Sequence, residues 1–169
     1  MTDTISIRRL EPHEWASYRA VRLRSLADSP DAYGSTWAAE QAFPSGHWSS
    51  RLAAAAVSGK DCPLVAQSGG AVIGVIWAKV DASAPTLVNL FQMWVAPESR
   101  GRGVAAMLLA AALEWARSVG AHAVQLGVTC GDTPAARLYA RAGFTAVGEP
   151  ELLRPGSALL SQAMRLALV

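Results

Sequence analysis

The pattern of apolar and polar positions predicts an alternation of strands and helices along the chain. Residues 5–9 alternate between apolar and polar side chains, which predicts a first strand. Residues 11–27 carry alanine and leucine at spacings of three and four, which predicts a helix that ends at the Ser29-Pro30-Asp31 break. A second, alanine-rich helix is predicted over residues 47–57, and residues 33–43 between the two helices are predicted to be irregular.

The middle of the chain predicts a hairpin followed by a central strand. Pro63 is placed just before a strand over residues 64–67, where it would interrupt no ladder hydrogen bond. Ser68-Gly69-Gly70 predicts a tight turn, from which residues 71–80 pair back as the second strand. Residues 86–95 carry no charge and are largely apolar on both faces, so we expect a central strand that is covered on each side.

The remaining residues predict a helix between two buried strands, and then a C-terminal strand pair. The helix is predicted over residues 104–119, ended by Gly120, with one apolar stripe formed by Val104, Leu108, Ala111, Trp115 and Val119. The later elements are a strand over residues 123–128, a short helix from Thr133-Pro134 to Gly143, and strands over residues 144–147 and 158–168 around a Pro155-Gly156 turn. This order favours one α/β or α+β domain that spans residues 1–169.

Composition and charge narrow the class of protein. The 169 residues include 15 basic and 13 acidic side chains, for a net charge of +2, and 51% of the residues are hydrophobic. Such a chain does not predict a nucleic-acid partner, and it is too apolar for an extended disordered protein. No apolar run reaches the roughly 18 residues of a membrane-spanning helix. Residues 1–10 show no secretory signal. We therefore expect a cytoplasmic protein with no membrane partner.

The cysteines and histidines do not predict a metal site. Cys62 and Cys130 lie far apart and outside any CxxC pattern, so we expect two reduced thiols. His13, His47 and His122 show no metal-ligand spacing. The chemistry must therefore be sought elsewhere in the chain.

The most informative stretch is residues 95–105, where a buried strand ends, a loop follows and an amphipathic helix begins. The free N–H groups and the positive dipole end at the start of that helix favour an anion. Gly101 and Gly103 let a ligand approach the backbone, and Arg100 and Arg102 add positive charge. We therefore predict a phosphate or pyrophosphate site here, in preference to an ordinary strand-to-helix loop.

The loop has neither of the common nucleotide-binding forms, since it lacks both the GxxxxGK[ST] and the GxGxxG patterns. Arg100-x-x-Gly103-x-Ala105 instead resembles the [Q/R]-x-x-G-x-[G/A] signature of the GNAT acetyltransferase superfamily. In that family the loop binds the pyrophosphate of acetyl-coenzyme A (acetyl-CoA). The resemblance implies that the cofactor is bound here by Arg100, Gly101, Arg102, Gly103, Val104 and Ala105.

A second stretch resembles the same family independently. Residues 126–144 read Leu126-x-Val128-x-x-x-Asp132-x-x-Ala135-x-x-Leu138-Tyr139-x-x-x-Gly143-Phe144, which is similar to the family's strand and helix ending in N-x-x-A-x-x-L-Y-x-x-x-G-F. Asp132 stands where the family has asparagine, and an ionised carboxylate can only accept hydrogen bonds. The resemblance places Asp132 and Tyr139 among the cofactor-binding residues. Weaker similarity at residues 18–40 and 155–157 extends it over nearly the whole chain.

The family resemblance also implies a fold. It is a mixed, mostly antiparallel twisted sheet of about seven strands with flanking helices. The strands over residues 86–95 and 123–128 would form a central parallel pair, joined by the helix over residues 104–119 in a right-handed crossover. They would splay apart to admit the cofactor.

The implied reaction transfers the acetyl group of acetyl-CoA to a primary amine of a small molecule or peptide, with no metal. The backbone of Met93 and Val95 would polarise the thioester carbonyl and pair with the pantetheine arm. Tyr139 would protonate the leaving thiolate, because a phenol with a pKa of about 10 is protonated at neutral pH. The general base stays open between Glu40 and a water held by Asn89 or Gln92.

Two other functions fit the same residues. A GNAT-like chain without a strand carboxylate fits a non-catalytic sensor or interaction module that binds acyl-CoA. The loop alone also fits a binder of another phosphate ligand. The sequence indicates neither the acceptor nor a choice between monomer and homodimer, although the irregular segments at residues 33–47 and 149–155 are where we expect acceptor contacts.

Overall fold

The computed structural model of the chain describes residues 3–168, which are organised around one mixed sheet. Its strands are β1 (Ile5–Arg9), β2 (Asp61–Ser68), β3 (Ala71–Val80), β4 (Leu87–Val95), β5 (Ala123–Thr129), β6 (Thr145–Ala146), β7 (Glu151–Leu152) and β8 (Leu160–Ala167). The order across the sheet is β1-β2-β3-β4-β5-β8-β6, and β7 pairs with β8. Every pairing is antiparallel except β4 with β5. The expected mixed sheet with a central parallel pair is therefore confirmed.

Helices cover both faces of this sheet. They are α1 (Trp15–Asp28), α2 (Trp37–Gln41), α3 (Ser45–Ser58), α4 (Val104–Ser118) and α5 (Pro134–Arg141). One face packs against α4 and the other against α1 and α3, so the sheet separates two apolar clusters. No helix within residues 3–168 is long and apolar enough to span a membrane.

The helix that links the parallel strands is buried over a wider and slightly rotated face than predicted. Its buried residues are Val104, Leu108, Leu109, Ala112, Leu113 and Ala116. The predicted stripe residues Ala111, Trp115 and Val119 are only partly buried and lie at the margin of the contact. A helix that packs on a sheet buries a broad arc, so a single row of residues three and four positions apart underestimates it.

Pro63 lies within β2 rather than before it, which corrects the prediction from sequence. Its carbonyl accepts a hydrogen bond from the N–H of Leu10, which directly follows the end of β1. In an antiparallel strand the N–H and C=O of one residue point to the same side. The N–H that proline lacks would therefore also face Leu10, where the pairing with β1 ends, and no hydrogen bond to β3 is lost.

Two short elements were not predicted. Thr36 caps α2 by accepting from the N–H of Ala39 at 3.2 Å, so the segment at 33–43 is not wholly irregular. The two residues of β7 are too few to show any periodicity. The tight turn at Gly69 and Gly70 is confirmed, with both residues at positive φ as a hairpin of this length requires.

Candidate active site

The parallel pair at the centre of the sheet comes apart after three residues. Leu87, Val88 and Asn89 of β4 are in register with Ala123, Val124 and Gln125 of β5. Beyond them β4 continues to Val95 and β5 to Thr129 without further pairing. The two strands diverge and line a cleft of about 2060 Å³. The predicted splay is therefore present.

A bulge in β4 bends the strand where the splay opens. Gln92 has φ 63°, and the register with β3 shifts between Val75 and Trp77. A bulge bends a strand and increases its twist. A side chain in the left-handed region costs on the order of 1–2 kcal/mol. Tyr18, which is almost fully buried, donates its hydroxyl to Gln92 Oε1 at 2.7 Å and holds this conformation.

The backbone of β4 beyond the bulge presents its groups to the cleft. The Met93 carbonyl accepts from the Tyr33 hydroxyl at 2.9 Å, and the Val95 carbonyl accepts from Arg100 Nε at 3.0 Å. Ala96 bonds back to β3 through its N–H, at 2.8 Å from the Ile73 carbonyl. Because neighbouring residues of a strand face opposite edges, the N–H of Val95 faces the splay.

The glycine-rich loop lies at the mouth of this cleft. Gly101 and Gly103 adopt φ values of 78° and 77°, and a Cβ at either position would point into open space. Gly103 is the N-cap of α4, whose first N–H groups have no intrahelical acceptor. Val104 and Ala105 follow on the cleft side. The loop therefore leaves open space beside the first N–H groups of α4, and the anion site at this position stays a prediction.

The two loop arginines take different positions. Arg100 lines the cleft, but its guanidinium is held by the Asp28 carboxylate at 2.6 Å. Arg102 is exposed and outside the cleft lining, and its Nη2 lies 3.5 Å from the Asp3 carbonyl. Asp28 Oδ2 also accepts from Trp94 Nε1 at 3.0 Å. That hydrogen bond, with those of Ser29 and Arg100, lowers the pKa of Asp28 to about 2.

Tyr139 lies on α5 and faces the cleft. Its ring packs against Phe144 at 5.8 Å between centroids, and only 6% of the residue is exposed. Burial is the main cause that raises its pKa, and the nearby Tyr33 raises it further. The phenol is therefore protonated at every pH near neutrality. Burial also raises the pKa of Tyr33 to about 12, so the cleft holds two neutral phenols.

Asp132 is not brought to the cleft. Its carboxylate pairs with Arg137 at 2.6 Å, and the side chain is 84% exposed. The cap of α5 is Thr133, whose Oγ1 accepts from the N–H of Ala136 at 3.1 Å. Asp132 thus lies two residues before Pro134, where the helix that carries Tyr139 begins.

Glu40, the carboxylate considered as the general base, also lies outside the cleft lining. Glu40 is 4% exposed and receives both Arg22 Nε at 3.0 Å and Arg22 Nη2 at 2.8 Å. Among the residues that the structure describes, Glu40 is absent from the cleft lining, whereas Asn89 and Gln92 are present. Gln92 accepts from Tyr18, as described, and Asn89 Nδ2 donates to Asp81 at 2.8 Å.

Arg22 and Tyr33 also contribute to the site, although no sequence pattern identifies them. The Arg22 guanidinium carbon lies 4.7 Å from the centroid of the Tyr33 ring, and Arg22 Nη1 is buried without a partner within residues 3–168. An Arg22–Glu40 pair therefore supports the tyrosine that binds the Met93 carbonyl. No local pattern signals contacts between residues 18 and 60 positions apart. Within the same described range, no cluster of His, Cys, Asp and Glu side chains could hold a metal ion.

Comparison with known proteins identifies related sequences. The model of the Acetyltransferase (GNAT) family matches residues 15–144. A mycothiol acetyltransferase of Pseudarthrobacter chlorophenolicus is 38% identical over 85 residues, which cover 48% of this chain and 26% of that protein. The chain spans about a quarter to a third of the length of the curated relatives it matches first.

Solved structures share the fold over almost the whole chain. An acetyltransferase of the GNAT family from Streptococcus pneumoniae has a TM-score of 0.81 and 22% identity, covering 98% of this chain and 100% of that one. A putative acetyltransferase from Salmonella typhimurium, solved with its cofactor acetyl-CoA, has a TM-score of 0.81 and 19% identity, covering 98% and 94%. At these identities the likeness shows the fold alone.

Proposed function

Because this chain belongs to the GNAT acetyltransferase family, we propose that it transfers the acetyl group of acetyl-CoA to a primary amine. The observation that carries the proposal is the convergence of three features on one cleft. The free edge of β4, the glycine-rich loop before α4 and the buried Tyr139 all line it. We further propose a cytoplasmic protein that acts without a metal on a small-molecule or peptide amine, as a monomer or homodimer.

The cleft fits the shape and charge of acetyl-CoA. The loop at residues 100–105 offers helix N–H groups and open space above two glycines, which suits the pyrophosphate. The unpaired edge of β4 from Met93 to Val95 suits an extended pantetheine arm, because an open strand edge pairs with an extended chain. Asp132 and Arg102 lie outside the cleft lining, so we assign direct contacts to the other predicted residues and leave Arg102 a role through its charge.

The residues of the chain have separable tasks in the reaction. Acetyl-CoA supplies the acetyl thioester and a thiolate leaving group. The Val95 N–H would polarise the thioester carbonyl as the amine nitrogen bonds to its carbon and the carbon–sulfur bond breaks. Tyr139 would give its phenolic proton to the departing sulfur; its raised pKa ensures only that the phenol carries this proton before the transfer. We propose that water in the cleft accepts the proton that the amine loses, because the Glu40 carboxylate is ion-paired with Arg22.

The test measures thiol release from acetyl-CoA with a panel of primary amines. Tyr139→Phe should lower kcat by about 100-fold, the usual contribution of one positioned acid, and leave the Kd of acetyl-CoA unchanged. Equal kcat in the phenylalanine variant would remove Tyr139 from the proposed role. Binding of acetyl-CoA without thiol release from any amine would point to a sensor instead.

A parallel thermal-shift experiment tests the cofactor. Acetyl-CoA should raise the Tm more than ATP or NADPH at equal concentration, because the ligand with the lower Kd for the folded state stabilises it more. Stabilisation only by a nucleotide that lacks pantetheine would contradict the proposal. That result would assign the loop to another phosphate ligand.

A further inference from the structure

Five polar side chains form one row across the sheet, on the face that packs against α1 and α3. The register pairs Asp61 of β2 with Lys79 of β3, Lys79 with Asn89 of β4, Asn89 with Gln125 of β5, and Gln125 with Arg165 of β8. Residues paired in this way point to the same face of a sheet. All five line the cleft, at the end where β4 and β5 are still paired.

The part of this face beyond α3 is open. Arg51 of α3 lies over the ring of Trp77 on β3, with its guanidinium carbon 4.7 Å from the ring centroid. Past that contact Phe91 of β4 is 47% exposed, and Gly127 of β5 has no side chain to fill the space. Because Phe91 is exposed and Gly127 has no side chain, there is room for a ligand above the row.

Three cationic side chains, those of Arg51, Lys79 and Arg165, surround this open part of the sheet face. Among residues 3–168, no carboxylate lies within salt-bridge distance of Arg51, Lys79 or Arg165. Arg165 is oriented by Gln125, whose Oε1 accepts from its Nε at 2.9 Å and its Nη2 at 2.6 Å.

Asp61, the acidic residue of the row, already accepts hydrogen bonds from neighbouring side chains. Asp61 accepts from Trp77 Nε1 at 3.0 Å and from Ser58 Oγ at 2.9 Å, so its oxygens face the indole and the end of α3. Glu149 and Glu151 also line the cleft and are exposed, and Glu151 is paired with Ser161, four residues before Arg165 on β8. Asp61 and Asp81 lie beside the row but are bound by neutral donors, so Arg51, Lys79 and Arg165 have no ion-pair partner within residues 3–168.

We propose that the acceptor carries a carboxylate besides its amine, and that Arg51, Lys79 and Arg165 bind this carboxylate. A guanidinium or ammonium matches a carboxylate through charge-assisted hydrogen bonds. The inference rests on the proposed function, because the amine must reach the thioester carbonyl at the Val95 N–H while the anion rests near the row. Asn89 lies six residues before Val95 in the bulged strand β4, at most about 20 Å along it. The two groups of the acceptor are therefore well separated, unlike those of an α-amino acid.

The test compares linear ω-amino carboxylates of increasing length with the matching ω-amino amides as acceptors. The kcat/KM of the longer carboxylates should exceed that of their amides at least tenfold, and glycine should show no such advantage. Lys79→Gln and Arg165→Gln should each reduce the advantage about tenfold and leave the amides unaffected. Lys60→Gln and Arg117→Gln are the matched controls, since both residues are exposed and outside the cleft lining.

The outcomes separate this inference from the proposed function. Equal turnover of carboxylates and amides would overturn the inference and leave acetyl transfer standing. If no acceptor is turned over, calorimetric titration of the carboxylates into the CoA-bound protein decides. Binding that is lost in Lys79→Gln and Arg165→Gln would support the anion site while the transfer reaction fails, and absence of binding would overturn the anion site.

Discussion

At the scale of single residues, the cofactor loop depends on backbone conformations that side chains rarely adopt. Gly103 begins α4 at a φ of 77°. A Cβ there would meet no atom, so the constraint is the backbone conformation and not space. Gly59, the C-cap of α3, has the same combination of φ 67° and open surroundings, far from the loop. The two positions thus form a matched pair.

Replacing each of these glycines by alanine should separate strain from ligand binding. Gly103→Ala and Gly59→Ala should each lower the free energy of unfolding by about 1–2 kcal/mol, the cost of a left-handed side chain. Only Gly103→Ala should also weaken acetyl-CoA binding, because its Cβ occupies the approach to the helix N–H groups. Chemical denaturation and calorimetric titration measure the two effects. An equal loss of affinity in both variants would contradict the assignment of the loop.

Tyr33 and Tyr139 are two buried phenols of the same cleft with different predicted effects. Tyr33→Phe removes the donor to the Met93 carbonyl and should cost about 1 kcal/mol of stability, the usual worth of one hydrogen bond. It should also raise the KM for acetyl-CoA, because the edge of β4 loses its fixed orientation. Steady-state kinetics of both phenylalanine variants provide the check. A Tyr33→Phe variant that lowers only kcat would make Tyr33 a proton donor instead.

At the scale of elements, the C-terminal end of α1 contacts both β4 and the glycine-rich loop and connects the two. Asp28, its last residue, binds Trp94 of β4 and Arg100 of the loop. Its pKa is held at about 2, first by the Trp94 indole N–H. A carboxyl whose folded pKa is lowered stabilises the protein above its unfolded pKa, and this contribution is lost as the pH falls through the folded value.

The pH dependence of unfolding should therefore change in Asp28→Asn. Wild type should be more stable than the variant above about pH 4, and the difference should shrink between about pH 4 and pH 2. Glu14 and Asp81, whose pKa values are also lowered to about 2, titrate in both proteins and cancel in the difference. Urea denaturation at several pH values measures it. A difference that is constant with pH would exclude the charge of Asp28 as the cause.

Elements with a strong local pattern could be predicted from the sequence, and contacts across the chain could not. The strand at residues 71–80 and the start of α4 were correct because alternation, glycines and helix periodicity are local signals. The bulge at Gln92 was missed, since a glutamine at positive φ has no signature and is held by Tyr18 from another element. The pairing of Glu40 with Arg22 likewise needed the fold, and it changes what Glu40 can do.

At the scale of the whole molecule, one sheet joins two apolar clusters. The cluster under α1 and α3 contains Trp48, Trp77 and Trp94, whereas the cluster under α4 has no fully buried tryptophan within residues 3–168. The strands that carry Val65 and Val75 on one face also carry Leu64 and Ile76 on the other. The two clusters therefore share the same strands, and loss of the sheet disrupts both.

Thermal unfolding should consequently be a single cooperative transition, as expected for one domain. Tryptophan fluorescence reports mainly the cluster under α1 and α3, whereas far-UV circular dichroism reports all helices and strands. The two probes should give the same midpoint, and acetyl-CoA should shift both equally. Separate midpoints would show that the sheet does not couple the two sides.

The divergence of β4 and β5 also gives the sheet a pair of edges in its interior. Amide groups that face this gap have no ladder partner, so they should exchange their hydrogens with solvent deuterium much faster than the paired amides on the other side of the same strand. A bound pantetheine arm would close the gap and slow this exchange at alternate residues only. The centre of a sheet is ordinarily its part most protected from exchange. In this protein, hydrogen exchange at the centre would instead report most directly whether the cofactor is bound.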